Sequence, residues 1–312
     1  MSTFTQEFTF TPKFTHLSGS RNGVSINSRT EIEVIRSENV LDVNREYKCA
    51  MERFQLKGAL LPVFDANART ITVTVENKST EDRHSVDAEH SQFFREVRAV
   101  HPHFLYELRD VAVGINDALE AACTAASVPG VDIPTFQLNR ASGDKFEIVS
   151  NSSFRGAYDI IVNEPFEYYF TGFYFIPDAN DDSLFYLDFT QDTETQISSS
   201  LEFLSPIASI AVEAPGLPVV NELVPAPNSD DENVQNNNSS FLVDFLPNPS
   251  NQGRADVQFE MSAYPRWHSM IPGGDTQSFR LVFSWYDFNN ERYDIIIGRQ
   301  GSCKAKLYFE EM

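Results

Sequence analysis

Basic residues are scarce in this 312-residue chain, where 24 lysines and arginines face 45 aspartates and glutamates for a formal charge of −21 at pH 7. A chain this acidic repels phosphate backbones, so direct nucleic-acid binding is not expected. The N-terminal region does not reverse that balance, because Lys13, Arg21 and Arg29 stand with Glu7 and form no basic run. Cysteine is equally sparse: Cys49, Cys123 and Cys303 are odd in number and far apart. That excludes a secreted-type disulfide framework and points to buried free thiols. Long apolar runs are missing too. The opening segment MSTFTQEFTFTPKF has no apolar core of a signal peptide, and nothing reaches the ~20 apolar residues of a membrane span. Synthesis in a reducing cytoplasm is the simplest inference, which leaves the Asn-x-Ser sequences at Asn77, Asn151, Asn237 and Asn238 as polar loops.

Reactive constellations are also lacking. No serine lies in a G-x-S-x-G elbow, no cysteine has a histidine beside it, and no G-x-x-x-x-G-K-[ST] loop occurs. Gly273-Gly274 after Pro272 reads as a turn. No catalytic residue, cofactor or metal ligand is therefore assigned, and the chain is not expected to be an enzyme. Two clusters run counter to that reading. His84, His90, His101 and His103 share a window with Asp87, Glu89 and Glu96, but Pro102 splits the His-x-His pair and no cysteine pair completes a zinc set. Asp178, Asn180 and Asp182 open like a calcium loop, yet Ser183 stands where the turn glycine belongs and Phe189 where the closing glutamate belongs. The first reads as solvated loop histidines and the second as an ordinary acidic turn.

What the chain has is strands. Phe279, Leu281, Phe283 and Trp285 alternate with Arg280, Val282, Ser284 and Tyr286 before a turn at Asn289-Asn290. Tyr293 to Gly298 is the expected return strand, and Lys304 to Phe309 a last one. Earlier strands are expected at Thr30 to Ile35, Tyr47 to Val63 and Thr70 to Val75. In the second of these, Tyr47, Cys49 and Met51 lie on one parity and Phe54 and Leu56 on the other, so a bulge is expected near Glu52. Further strands are expected at Phe136 to Leu138, Phe146 to Val149, Tyr158 to Val162, Glu167 to Ile176, Leu184 to Phe189 and Ile207 to Glu213. One long helix, Leu108 to Ala126, follows from the spacing of Leu108, Val111, Ile115, Leu119 and Cys123, and Val128-Pro129-Gly130 stops it. Gly114 inside it costs ~1 kcal/mol relative to alanine, so packing must hold the helix. A short helical turn is expected at His90 to Val97.

Many short strands with one good helix indicate an all-β sandwich. The expected organisation is an extended N-terminal arm over 1–30 and a β domain over 31–312. That domain carries a helix-containing insertion near 85–130 and an acidic loop over 225–240. The arm is too poor in clustered apolar residues for a core of its own, and such arms gain order along a neighbour's surface.

Three segments together carry a family resemblance: REYKCAMERFQLKGALLPVF; GINDALEAAC with IPTFQL; and the run SPIASIAVEAPGLPVVNELVP, SFLVDFLPNP, YPRWHSM and FRLVFSWYDFNNERYDIIIGRQGSCKAKLYF. Their order resembles the penton and minor capsid proteins of virophages and polinton-like viruses, over most of residues 45 to 309. The resemblance implies a jelly-roll β-sandwich, location in the virion after synthesis in the host cytoplasm, and a vertex or minor capsid role. It also implies a homo-oligomer, with a pentamer as the first expectation, and contact with a major capsid protein. Phe4, Phe8, Phe10 and Phe14 in the arm, with Tyr168, Phe170 and Phe173, are the expected interface residues. A carbohydrate- or receptor-binding β-sandwich, using Asp178 to Asp182 or Asp230 to Asn238, is the alternative.

Overall fold

The computed structural model describes residues 3–10, 15–16, 28–29, 31–35, 41–42, 44–90, 103–139, 145–188, 191–195, 197, 204–220, 241–245, 256–260 and 266–312, with the backbone alone up to residue 35, at 256 and over 296–301. Two compact units divide the chain: Met1–Leu61 with Ile207–Met312, and Pro62–Pro206. The expected helix-bearing insertion near 85–130 falls inside the second unit.

The first unit is a jelly-roll sandwich of two antiparallel sheets. One sheet runs Thr3–Phe10, Ile296–Glu311, Tyr47–Leu60, Asp256–Glu260, with the short strand His268–Ser269 also on the Tyr47 strand. Period-two alternation builds it. Cys303, Ala305, Leu307 and Phe309 are buried while Lys304, Lys306 and Tyr308 between them face outward. The expected bulge is present. Met51 stands opposite Leu307 and Arg53 opposite Lys306, which leaves Glu52 as the extra residue. That single insertion lets Cys49 and Met51 on one parity and Phe54 and Leu56 on the other all reach the buried face.

The other sheet runs Phe241–Phe245, Ile207–Glu213, Ser278–Asp287, Arg292–Asp294, and Glu31–Ile35 pairs with the Ser278 strand. Phe54 joins the two sheets, with ring centroids 5.5 Å from Phe245 and 5.4 Å from Phe283. The hairpin after Trp285 turns where expected: Asp287 Oδ1 accepts the N–H groups of Asn289 and Glu291, and Asn290 takes a φ of 62°. The return strand is shorter than expected. It stops at Asp294, the buried Ile295 donates its N–H to Phe283 O, and Ile296 already pairs with Leu60 in the first sheet. Residues 293 to 298 therefore cross between the sheets, with Tyr293 still paired in the second sheet and Ile296 already paired in the first.

The second unit packs the helix Leu108–Ala125 on a five-stranded sheet ordered Phe175–Pro177, Leu184–Leu187, Tyr158–Asn163, Thr72–Asn77, Arg83–Asp87. A three-stranded sheet, Thr135–Asn139, Lys145–Val149, Thr193–Thr195, completes it. Val111, Ile115, Leu119, Ala122 and Cys123 form the buried helix face. Asn116 fastens this helix to the small sheet, accepting the Phe136 N–H at 2.7 Å and donating Nδ2 to Phe136 O. Gly114 has a local reason: a Cβ there would lie 2.2 Å from His90 Nδ1, so the His90 ring fills the space a side chain would need.

One expected strand is a helix. Glu167 to Ile176 was expected to be extended, but Glu164–Tyr169 is helical and only Phe175–Pro177 at its end is strand. Asn163 caps the helix by accepting the Phe166 N–H, and Pro165 occupies its first turn. The aromatics then follow helical rather than strand spacing. Phe166, Tyr169, Phe170 and Phe173, separated by three, four and seven residues, are the buried ones. Of the expected short helix at 90–97, residues 91–97 lie outside the described residues.

Candidate assembly surfaces

The arm does not stand away from its own chain over its first strand. Thr3–Phe10 pairs without interruption along the outer side of the Ile296 strand, Phe4 opposite Phe309, Phe8 opposite Ala305 and Phe10 opposite Cys303. Those three partners are all buried. Phe14 lies outside the described residues. In the second unit the three expected interface residues separate. Phe170 and Phe173 sit in the core, where Phe170 packs edge-on to Phe136 and Phe146 at 5.3 and 5.2 Å. Tyr168 is exposed and carries the Arg69 guanidinium 4.6 Å above its ring. Exposed apolar residues that the sequence reading missed are Tyr174, Ile176 and Ile197 nearby in the chain fold, and Phe288 at the hairpin tip of the first unit. Ile197 is tied to this region by its N–H, which donates to Gly172 O. Once the cap at Asn163 and Pro165 marks a helix, spacing through 166–173 assigns 170 and 173 inward and releases 168 and 174 outward.

The polar clusters resolve into structural contacts. Asp178 is buried, its Oδ1 accepts the Asn180 N–H, and its Oδ2 lies 2.7 Å from Arg83 Nη2. Arg83 also pairs with Glu76 at 2.8 Å, and Tyr186 donates to Glu76 Oε2, so one network spans three strands of the large sheet. The Asn180 N–H, and after it Arg83, hold the Asp178 carboxyl below its ordinary range. Residues 230–238 and His101 lie outside the described residues. His84 lies on the Arg83 strand, His103 beside Phe104, and His90 against Phe64 at 5.2 Å, so they do not converge. Among the described residues no group of three ligating side chains could hold a metal ion. Both His90 ring nitrogens are buried without a hydrogen-bond partner, and burial pushes its pKa down to about 4 against a weak opposing effect of the Asp110 backbone. Burial raises the Cys49 and Cys123 thiols to about 12 and Cys303 further in the same direction. Such thiols are packing groups, not nucleophiles.

The outward side of the Tyr47 sheet gathers five cations, Lys48, Arg53, Lys57, Lys304 and Lys306. Lys48 pairs with Glu310 at 3.2 Å and lies 4.5 Å above the Trp267 ring, and Lys306 pairs with Glu52 of the bulge at 2.8 Å. Lys57 and Lys304 are exposed on the same side. Arg53, Lys306 and Glu260 form one row across the strands, and Gln55, Lys304 and Gln258 the next. Between the rows runs a groove of about 260 Å³ whose floor is the backbone of Phe54, Phe259 and Ala305.

Comparison with known proteins agrees with this architecture. The penton protein of mavirus is similar over 100% of both chains, with a TM-score of 0.79 and 25% sequence identity. A chain of the Sputnik virophage, solved by electron cryomicroscopy, matches over 98% of this chain and 97% of its own, with a TM-score of 0.72 at 16% identity. No family model and no curated protein matches the chain. This likeness to virophage penton and capsid proteins over the whole chain supports a structural role in a viral capsid and a place in the virion.

Proposed function

We propose that this chain is the vertex subunit of the shell, that five copies close a ring about a symmetry axis, and that the ring's outer side meets a separate major capsid protein. The observation that carries this reading is the match to a penton protein across the full length of both chains. Its mechanism is burial of surface between copies, since a closed ring needs two different patches that meet head to tail. Phe4, Phe8, Phe10 and Phe14 of the arm supply one apolar contribution. Tyr168 supplies a second, with Phe170 and Phe173 behind it fixing the shape it presents. A charge of −21 fits a subunit that holds a vertex without touching the genome, and the three buried thiols fit synthesis in a reducing host cytoplasm.

Negative-stain imaging and light scattering of the purified chain test the reading. Five-membered rings are expected, more populated as added salt screens the net charge. A strict monomer at every concentration and salt level would overturn it.

A further inference from the structure

The two units differ in charge far more than in size. The second carries 24 acidic and 9 basic residues, net −15, whereas the first carries 21 and 15, net −6. Within the first unit Lys48, Arg53, Lys57, Lys304 and Lys306 share the outward side of a single sheet. Lys48 is matched there by Glu310 and Lys306 by Glu52, and Arg53 also has a partner of its own. Lys57 and Lys304 are exposed and have no acidic partner among the described residues. Gln55, Gln258 and the single carboxylate Glu260 complete the groove walls, so cationic and amide donors outnumber acceptors on both sides of the floor. Donors of this kind suit carboxylates, which accept several charge-assisted hydrogen bonds at once. Long lysine stems keep their heads mobile until a partner fixes them.

We infer that this groove is the docking face for a second copy of the chain, and that it receives carboxylates of the neighbour's acidic second unit. The inference rests on the ring reading and names its contact. Charge complementarity selects the occupant, because the same chain presents a nearly balanced unit and a strongly acidic one. Two unlike patches on one subunit are what a head-to-tail ring requires. Such a contact offsets locally the repulsion that a −21 subunit meets when it approaches its copies. It also gives an opposite salt response: salt relieves the general repulsion but weakens the groove contact.

Zero-length carbodiimide cross-linking of a mixture of nitrogen-15-labelled and unlabelled full-length chain reads the contact directly. Links from Lys57 or Lys304 to carboxylates within 62–206 that join labelled to unlabelled chains are expected. The double variant Lys57→Glu, Lys304→Glu should associate at least tenfold more weakly while melting at the same temperature, which shows that folding is intact. If wild-type rings form but such links are absent and the variant assembles equally well, the groove inference falls and the ring reading stands. If the links run only to an added shell protein, the occupant is a different acidic partner and the inference also falls. A wild-type chain that never associates sinks the ring reading and this inference with it.

Discussion

The first unit holds its shape with long strands and the second with a helix and clustered rings, and their surfaces diverge in the same way. In the first, Tyr47–Leu60 and Ile296–Glu311 pair over nearly their whole length, and the sheet's outer side is left free for alternating charge. In the second, Phe136, Phe146, Phe166, Phe170 and Phe173 gather around short elements, and the exterior carries most of the chain's acidity. Extended pairing separates a buried face from an exposed one at every second residue, so a surface can be specified without disturbing the core. An aromatic cluster at helical spacing uses its positions for packing and leaves fewer for a patterned face. A capsid subunit needs both a rigid frame and chemically distinct sides, and the two units divide those tasks.

Removing the ring that ties the two sheets of the first unit together should have the largest effect. Phe54 is 2% exposed and touches Phe245, Phe259 and Phe283. Phe54→Ala is expected to cost about 3–5 kcal/mol through lost transfer energy and the cavity left behind. Hydrogen exchange read peptide by peptide should show the loosening within Met1–Leu61 and Ile207–Met312. Equal loosening of residues 62–206 would break the division into two units.

Acid should act on the second unit through His90. Its folded pKa of about 4 lies below the ordinary histidine value of about 6.5, so the folded state binds fewer protons than the unfolded one between those values. Its contribution is fully present at and above pH 6.5, is lost as pH falls towards 4, and changes no further below that. The depression corresponds to a loss of about 3 kcal/mol at the acid end. Denaturant unfolding of wild type and His90→Leu from pH 7 to pH 4 checks it, because the variant should lack that part of the slope. Parallel curves would mean that His90 stays neutral for no energetic reason.

A smaller effect is expected at Gly114. Alanine gains about 1 kcal/mol of helix propensity but places a Cβ 2.2 Å from His90 Nδ1, and overpacking of this kind costs about 1–3 kcal/mol. Gly114→Ala alone should therefore lower the melting temperature, and in a His90→Ala background it should raise it. Additive effects in the double variant would separate the two residues.

Much of this frame was legible because buried strands keep strict parity. The phase change between Met51 and Phe54 announced the bulge at Glu52, and Val111, Ile115 and Leu119 announced the helix. Residues 167–176 were misread since aromatics at 168–170 and 173–175 satisfy either period, and the cap at Asn163 with Pro165 was the local arbiter. The crossing at Ile295 and the pairing of Thr3–Phe10 with Ile296–Glu311 were not legible, because both depend on partners distant in sequence. For the surface, the sequence located the aromatic segment and the arm but not the cation row. Lys48, Lys57, Lys304 and Lys306 come together only when the first and last thirds of the chain share a sheet.

The mildest substitution tests that row most sharply. Lys306 Nζ lies 2.8 Å from Glu52 Oε1, with both side chains about a quarter exposed, at 22% and 26%. An exposed pair of this kind contributes about 0–1 kcal/mol, because water and salt screen it and two long side chains must be ordered. Lys306→Met keeps the stem over the groove and removes only the charge, so melting should shift by no more than about 4 °C. Glu52 is then left without its cation at the bulge, which lowers the positive charge of the docking face by one. Association between copies should weaken measurably in sedimentation while the fold is unchanged. If instead Lys306→Met destabilises the first unit as much as Phe54→Ala does, the charged face belongs to the frame, and the separation of a packing side from a docking side in that sheet fails.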